Sequence, residues 1–388
     1  MIKAILFDLD DTLLINPDGV FVPRYLQLAD QYFSQHWQAE ALSRLLLQAT
    51  RAMMTSDNVR MTNTAVAESL IAHHTGQPIE DVRSVFQQFY TQTYPALRDC
   101  IDTVANAAQV VDDARSLGVA VAIATNPLYP EEAIRQRLQW AGVSGEFALV
   151  TSSDNMHFTK PDPAYYAEII ARIGIEPDEA MMIGDSLEND IQPAQRLGLH
   201  TYYVGTTAEA DGTLDDFHQL LRGSDWLDDT SMPNYNPAAI NPQFRGNLGA
   251  LFGLLDDVKP HYWLQRPDPN EWSIMQILCH LRESETSVHR SRLERILTED
   301  NPFVSAPPPP GRDDPPCDED GMRVAEDFLQ QRLETMHWLE SLRPEDWQRP
   351  ANHSIFGMTT FLEMAQFTAQ HDRLHISQIC QTLGKCRP

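Results

Sequence analysis

Asp8 and Asp10 close an apolar run, Ile5–Phe7, in the segment ILFDLDDTLL. Alternate residues of an extended chain point the same way, so these two carboxylates can share one site. A second apolar run, VAVAIA, ends in Thr125-Asn126, and a third, AMMIG, ends in Asp185, with Asp190 five residues on. Between them stands Lys160, one of only four lysines in the chain. Asp8, Asp185 and Asp190 in one place would repel one another, and one would take up a proton unless a cation joined them. An all-oxygen donor set suits Mg²⁺. Thr125 and Asn126 offer a hydroxyl, an amide and backbone N–H groups to phosphate oxygens, and Lys160 offers a positive charge. An ionised Asp8 can attack phosphorus. Asp10 can give a proton to the leaving alkoxide and later take one from water.

A second group of residues lies far along the chain. His371 and His375, in AQHDRLHISQI, are spaced i, i+4 and share one helix face. His280, in EWSIMQILCHLRESE, sits on an earlier helical stretch. Helical bundles build metal sites from facing helices, and three imidazoles leave coordination positions open. Zn²⁺, Ni²⁺ and Fe²⁺ all suit such ligands. His261, His289, His337 and His353 match no ligand position and read as surface or capping residues. Cys279, beside His280, points away from it on a helix, and Cys279 and Cys380 both read as small core hydrophobes.

The elements that must position these groups follow from apolar patterning. Ala4–Phe7, Val119–Ala124, Ala148–Val150, Met181–Ile183 and Thr201–Val204 have strand length and alternate with helical patterns, which predicts a parallel sheet with crossover helices. Parallel sheets bind ligands at the carboxyl ends of their strands, where the aspartates stand. Between Leu14 and Leu97 the pattern is helical throughout, over Arg24–Trp37, Ala39–Met54, Asn63–His74 and Ile79–Tyr94, so a helical subdomain follows strand one. Asn16, Arg51, Arg60 and His73 are its polar candidates to face the site; His73 and His74 diverge on a helix and do not suggest a metal pair. Residues 224–242 carry three prolines and no periodicity, and read as a linker. Beyond it no strand is expected. Asn247–Val258, Ser273–Leu297, Met322–Leu342 and Thr360–Leu383 read as four amphipathic helices, and Pro307–Pro310 as part of a long crossover loop.

With 388 residues, 42% of them apolar, the chain can bury several cores without disulfides or structural metal. The net charge of −26 argues against nucleic-acid and anionic-membrane partners. Any phosphate site must therefore supply its own positive charge. Five cysteines without a CxxC predict neither a disulfide framework nor a zinc ribbon, and a reducing cytoplasm is the expected location. No apolar stretch is long enough to span a membrane.

In this order, DxDxT, Thr-Asn, Lys-Pro and GDSLEND resemble the haloacid dehalogenase (HAD) superfamily over residues 1–223. The resemblance implies an α/β Rossmannoid core (1–14 and 98–223) with a subfamily I helical cap (15–97). It implies Asp8 as nucleophile, Asp10 as general acid/base, and Thr125 and Lys160 as phosphoryl ligands. Mg²⁺ would be held by Asp8, the Asp10 carbonyl and Asp185, with Asp190 in support. Dehalogenases of this pattern usually lack the second acid, so Asp10 favours phosphoryl transfer: a phosphatase for a small phosphorylated metabolite, or a phosphomutase or phosphotransferase. Residues 240–385, with Trp272-Ser273, the central His280 and the late HDRLH, resemble the DinB-like (YfiT-like) four-helix family. That likeness implies a second divalent metal on His280, His371 and His375. It leaves a thiol transferase or hydrolase activity, a docking role and a homodimer contact open for the bundle (243–388).

Overall fold

The computed structural model describes residues 1–17, 19–37, 42–223, 235–306, 311 and 320–386. Two compact units emerge: residues 1–169 with 177–232, and residues 170–176 with 233–388.

In the first unit, β1 (Ala4–Phe7) leads through the short β2 (Leu14–Ile15) into four cap helices. These are α1 (Phe21–Phe33), α2 (Leu42–Met54), α3 (Asn63–Thr75) and α4 (Ile79–Gln88). The chain continues from α4 through a π turn, Phe89–Thr93, and a 3₁₀ segment, Tyr94–Cys100. It returns to the core by β3 (Asp102–Thr103), then α5 (Ala107–Ser116), β4 (Ala120–Ile123), α6 (Glu131–Trp140), β5 (Leu149–Val150), α7 (Pro163–Ile173), β6 (Ala180–Gly184), α8 (Gln192–Leu197), β7 (His200–Tyr203) and α9 (Leu214–Leu221). The sheet order is β5-β4-β1-β6-β7, and every pairing is parallel. All four β1 residues are buried, as a central strand covered on both faces requires. Because β1, β4 and β6 run the same way, Asp8, Thr125 and Asp185 leave the sheet at one edge. The cap has an aromatic core in which Phe33 stacks on Trp37 and packs against Phe86 and Phe89.

Two short strands depart from the all-helical expectation for residues 14–97 and the segment after it. β2 and β3 pair antiparallel, Leu14 with Thr103 and Ile15 with Asp102, and form the two-stranded stem on which the cap leaves and re-enters the core. Runs of two residues carry no legible alternation, which is why patterning misses them.

The second unit contains α10 (Pro237–Leu255), α11 (Ile274–Ser284), α12 (Ser291–Thr298), β8 (Phe303–Val304), α13 (Gly321–Glu340), β9 (Pro350–His353), β10 (Gly357–Thr360) and α14 (Phe361–Cys386). α10 packs on α13 and α14, and α11 does the same. α10 begins ten residues before the expected Asn247, so residues 237–242 are helix and not linker. Asn236 caps it by accepting from Ala238 N, Pro237 takes the first turn where its missing N–H is harmless, and Pro242 is tolerated early in the helix. The rest of the expected linker, 224–234, and the expected loop prolines 307–310 lie outside the described residues. The bundle also carries a sheet that the pattern did not predict, in the order β10-β9-β8. Cys279 is fully buried on α11, as expected, whereas Cys380 on α14 is exposed and not packed in the core; among the described residues Cys100, Cys380 and Cys386 are free thiols. No helix among the described residues is long and apolar enough to cross a membrane.

Candidate active site and candidate metal centre

The first site is built at the carboxyl edge of the sheet. Asp8 N donates to Ile183 O (2.9 Å), which continues the β1–β6 ladder by one residue and brings Asp8 beside the end of β6. Asp11 then turns the chain with φ 63°, in the left-handed region that a short polar side chain tolerates. Its carboxylate accepts from Asn16 N (2.8 Å).

Asp8, Asp185 and Asp190 offer carboxylate oxygens that all lie within 4.8 Å of one another. Asp190 gets there because the chain after β6 forms a π turn, Leu187–Ile191, started by Ser186, whose Oγ accepts from Asn189 N (3.2 Å). The Asp190 carboxylate packs so closely over Gly184 that a Cβ there would stand 2.4 Å from Oδ2. Lys160, 2% exposed, donates from Nζ to Asp8 Oδ1 (2.7 Å) and to Asp190 Oδ1 (2.5 Å). Asn126 Oδ1 accepts from Lys160 N (3.3 Å). The asparagine of the Thr-Asn pair thus anchors the backbone of the lysine loop.

Burial pushes the Asp8 carboxyl up to about 7; Lys160 opposes this and the Asp190 and Asp185 charges add to it. Burial, then Asp190 and Asp11, raise Asp185 to about 6. Burial alone would lower the Lys160 ammonium, but Asp190 and Asp8 outweigh it and hold it well above its ordinary range. Two carboxyls reluctant to ionise beside a third are the donor set that a hard divalent cation completes, so these residues fit Mg²⁺.

Asp10 stands apart from that cluster. Its Oδ1 is ion-paired with Arg137 Nη2 and accepts from Asn16 Nδ2 (2.8 Å); its Oδ2 accepts from Thr125 Oγ1 (3.4 Å). Arg137, on α6, is 1% exposed, lies 4.5 Å over the Phe21 ring and also donates to Asn16 Oδ1 (2.8 Å). Burial lowers its guanidinium to about 10, against the pull of Asp8. Sequence reading missed Arg137, since nothing in EEAIRQRLQW separates it from the neighbouring Arg135. Its i, i+3 relation to Ile134 and the i, i+4 relation to Ala133 place it on the buried face, and that was the available signal. Of the four cap candidates, Asn16 reaches the site, whereas Arg51, Arg60 and His73 are exposed.

The cap is seated by Asn63 and Thr64 at the start of α3. Asn63 N and Thr64 N donate to Met156 O (2.9 Å) and Ser153 O (2.8 Å), and Asn63 Nδ2 reaches Pro127 O (3.3 Å) and Phe158 O (3.4 Å). One cap residue thereby touches both the loop after Thr125-Asn126 and the loop before Lys160.

The second site lies in the bundle. His280 on α11 and His371 and His375 on α14 bring one ring nitrogen each within 4.8 Å of the others. The Nε2 atoms of His280 and His371 are 3.2 Å apart. Trp272, just before the Ser273–Gln276 capping box of α11, lies against His280 and His375, with ring centroids 5.1 and 6.3 Å away. His375 Nδ1 donates to Gln378 Oε1 (2.9 Å), which leaves Nε2 bare. Burial lowers His280 to about 4, helped by His375, and holds His371 and His375 below their ordinary value, so all three stay neutral. Three neutral imidazoles with one convergent ring nitrogen each, His375 held from behind at Nδ1, fit a divalent metal. Beneath them, Arg332 bridges Glu285 (2.8 Å) and Asp372 (3.0 Å), all three buried.

His289 corrects the surface-or-capping reading: it is buried, and its Nε2 stands 3.2 Å from His371 Nδ1, whereas His353, also buried, is a capping residue whose Nδ1 accepts from Ile355 N (3.2 Å) and Phe356 N (3.4 Å). His261 and His337 are exposed, as expected.

Comparison with known proteins agrees with this division. Residues 2–198, just over half of the chain, match the haloacid dehalogenase-like hydrolase family, and residues 243–379 match the DinB superfamily. The chain is 24% identical over 229 residues to pyrophosphatase PpaX of Bacillus velezensis, covering 58% of this chain and 95% of that one. It is 28% identical over 244 residues to phosphoglycolate phosphatase of Vibrio vulnificus, covering 57% and 95%. Among solved structures, YfiT from Bacillus subtilis, a four-helix-bundle protein, aligns at 14% identity and a TM-score of 0.34 over 39% of this chain and 89% of that one. The chain belongs to the haloacid dehalogenase-like hydrolases, and carries a DinB-superfamily domain after the hydrolase domain.

Proposed function

We propose that the first unit is a Mg²⁺-dependent phosphatase for a small phosphomonoester, with Asp8 as nucleophile and Asp10 as general acid/base. The observation that carries this reading is the division of labour between the two carboxylates. Asp8 sits with Lys160, Asp185 and Asp190, while Asp10 is held separately by Arg137, Asn16 and Thr125. A site for carbon–halogen cleavage has no need of that second acid.

Asp8, Asp185, Asp190 and the backbone carbonyl of Asp10 are the groups that would hold Mg²⁺. When bound, the ion neutralises these carboxylates and the phosphoryl oxygens. Lys160 and Thr125 bind and orient the phosphoryl group. A carboxylate oxygen of Asp8 forms a bond to phosphorus as the bond to the leaving oxygen breaks, and Asp10 delivers a proton to that oxygen. Water then bonds to phosphorus and passes its proton to Asp10. The Asp8–phosphorus bond breaks, and inorganic phosphate leaves. Arg137 and Asn16 occupy Asp10 Oδ1, so Oδ2, on the Thr125 side, is the oxygen left for proton transfer.

A cavity of about 400 Å³ opens between the cap and the loops that follow β4 and β5, lined by Tyr25, Met53, Ile71, Phe86, Tyr90 and Leu128 among others. The names of the relatives, a pyrophosphatase and a phosphoglycolate phosphatase, support small phosphorylated compounds as the substrate class.

The test is phosphate release from a panel of phosphomonoesters, with Mg²⁺ and with chelator, by the intact chain and by Asp8→Asn. Release that needs Mg²⁺ and vanishes in the variant is the expected result. Release unaffected by Asp8→Asn removes Asp8 from the reaction. In the bundle, we read His280, His371 and His375 as ligands of a second divalent metal. Equal zinc content in the wild type and in a His371→Ala/His375→Ala double variant overturns that reading.

A further inference from the structure

Four histidines, not three, meet in the bundle. His289 follows His280 by nine residues. At about 100° per residue an uninterrupted α-helix would put the two on opposite faces. They are not on opposite faces, because residues Glu285–Arg290 form a π turn between α11 and α12. A π turn takes up about one extra residue, which rotates everything after it. His289 thereby swings toward α14, where its Nε2 meets His371 Nδ1 at 3.2 Å and its Nδ1 meets Thr368 Oγ1 at 3.4 Å.

The protons along this chain can be placed in order. Thr368 Oγ1 donates its only proton to Met364 O (3.1 Å), so toward His289 it can only accept. His289 Nδ1 must therefore carry a proton. An imidazole with its one proton on Nδ1 has a bare acceptor at Nε2, and His289 Nε2, buried with the ring, faces His371 Nδ1 at 3.2 Å. His371 Nδ1 must then be the donor to it. With its proton on Nδ1, His371 keeps a lone pair on Nε2, which faces His280 Nε2 at 3.2 Å.

We infer that His289 is a positioning residue for the bundle's metal site: it locks His371 in the tautomer that presents Nε2, through a relay that starts at the Met364 carbonyl. This rests on the reading of His280, His371 and His375 as ligands. The usual partner behind a metal-bound histidine is a carboxylate or carbonyl. A neutral imidazole fixed by a threonine does the same work without adding charge beside Arg332, Glu285 and Asp372.

Two measurements on the full chain test it. The first needs no metal: ¹⁵N-histidine NMR with chelator present should show His371 as a single Nδ1–H tautomer. His289→Leu, which fills the space without an acceptor, should convert it to a mixture, and His289→Gln, which keeps an acceptor, should restore it. The second is zinc affinity by competition with a chromophoric chelator. His289→Leu should weaken it by about 10- to 100-fold, the usual effect of losing an outer-shell partner, and His289→Gln should stay within about threefold of wild type. A pure His371 tautomer and unchanged zinc affinity in His289→Leu overturn the inference. Should that variant not fold, Thr368→Val removes the acceptor that orders His289 and must show the same tautomer mixing; an unchanged tautomer there also overturns it. If the wild type binds no zinc while the tautomer still depends on His289, the ligand reading fails and the positioning relation stands.

Discussion

Lys160 Nζ stands between Asp8 Oδ1 and Asp190 Oδ1, 2.7 and 2.5 Å away, and is the buried cation that lets two carboxylates share the floor of the site. Taking it away leaves Asp8 and Asp190 facing each other and removes a charge from the phosphoryl position. Lys160→Met should lower kcat by about 100- to 1,000-fold, the size seen when one preorganised electrostatic group is removed. Steady-state phosphate release measures it. A loss of less than tenfold would place Lys160 in a purely structural role.

Asp10 and Arg137 form the second relationship. Asp10→Asn keeps the shape but cannot exchange a proton, and should cost about 100- to 10,000-fold in kcat. Arg137→Gln should cost less, because Asn16 still holds Oδ1. Its effect should fall on kcat and not on KM, because Arg137 holds Asp10 and not the substrate. An unchanged kcat in Arg137→Gln separates Arg137 from Asp10 in function.

Gly184 is the least conspicuous member of the site. A Cβ there would collide with the Asp190 carboxylate, not with the far end of a flexible chain. Gly184→Ala should therefore displace Asp190 from Lys160, with a stability loss of about 1–3 kcal/mol from overpacking and a disproportionate loss of Mg²⁺ affinity. Thermal unfolding and Mg²⁺ titration, run side by side, check both. Unchanged Mg²⁺ affinity in a folded variant would show that Asp190 is not needed there.

The bundle should be acid-sensitive when metal-free. Burial holds His280 near 4 and keeps His289, His353, His371 and His375 below 6.5, their ordinary value when exposed. Below about pH 6.5 the unfolded chain binds protons that these five rings refuse; Asp372, raised by burial to about 7, takes up one proton in the folded bundle and offsets part of this, so the net stability is present above that pH and is lost as the pH falls. In chelator, the denaturant midpoint of the bundle transition should drop steadily from pH 7 to pH 4.5, and saturating zinc should oppose the fall over the upper part of that range. A flat midpoint with chelator present would contradict the burial of these rings.

The strands of the parallel sheet were legible as short apolar runs, and most of the cap and bundle helices because they bury a face of regular period. Asp8, Asp10, Thr125 and Asp185 were legible because each stands at or near the end of an apolar run, where a parallel sheet delivers its side chains to one edge, and Lys160 because it is one of only four lysines. The histidine triad was legible for the part that lies on one helix. What patterning could not supply falls into two kinds. Strands of two residues, such as β2 and β3, are too short to show alternation, and β9 and β10 are a polar hairpin whose pairing is decided by the bundle it packs on.

The remaining kind concerns side chains whose partners are distant in the chain. Arg137 and Asp10 are brought together by the crossover helix α6 between β4 and β5, and His289 and His371 by a π turn that no local composition marks. Local sequence sets periodicity, and periodicity names the buried face of each element. Which charge on one element meets which on another depends on how those faces pack. For this chain the motif carboxylates and His371–His375 were written in the residues alone, whereas the hold on Asp10, the seat of Asp190 on Gly184 and the fourth histidine were decided by packing.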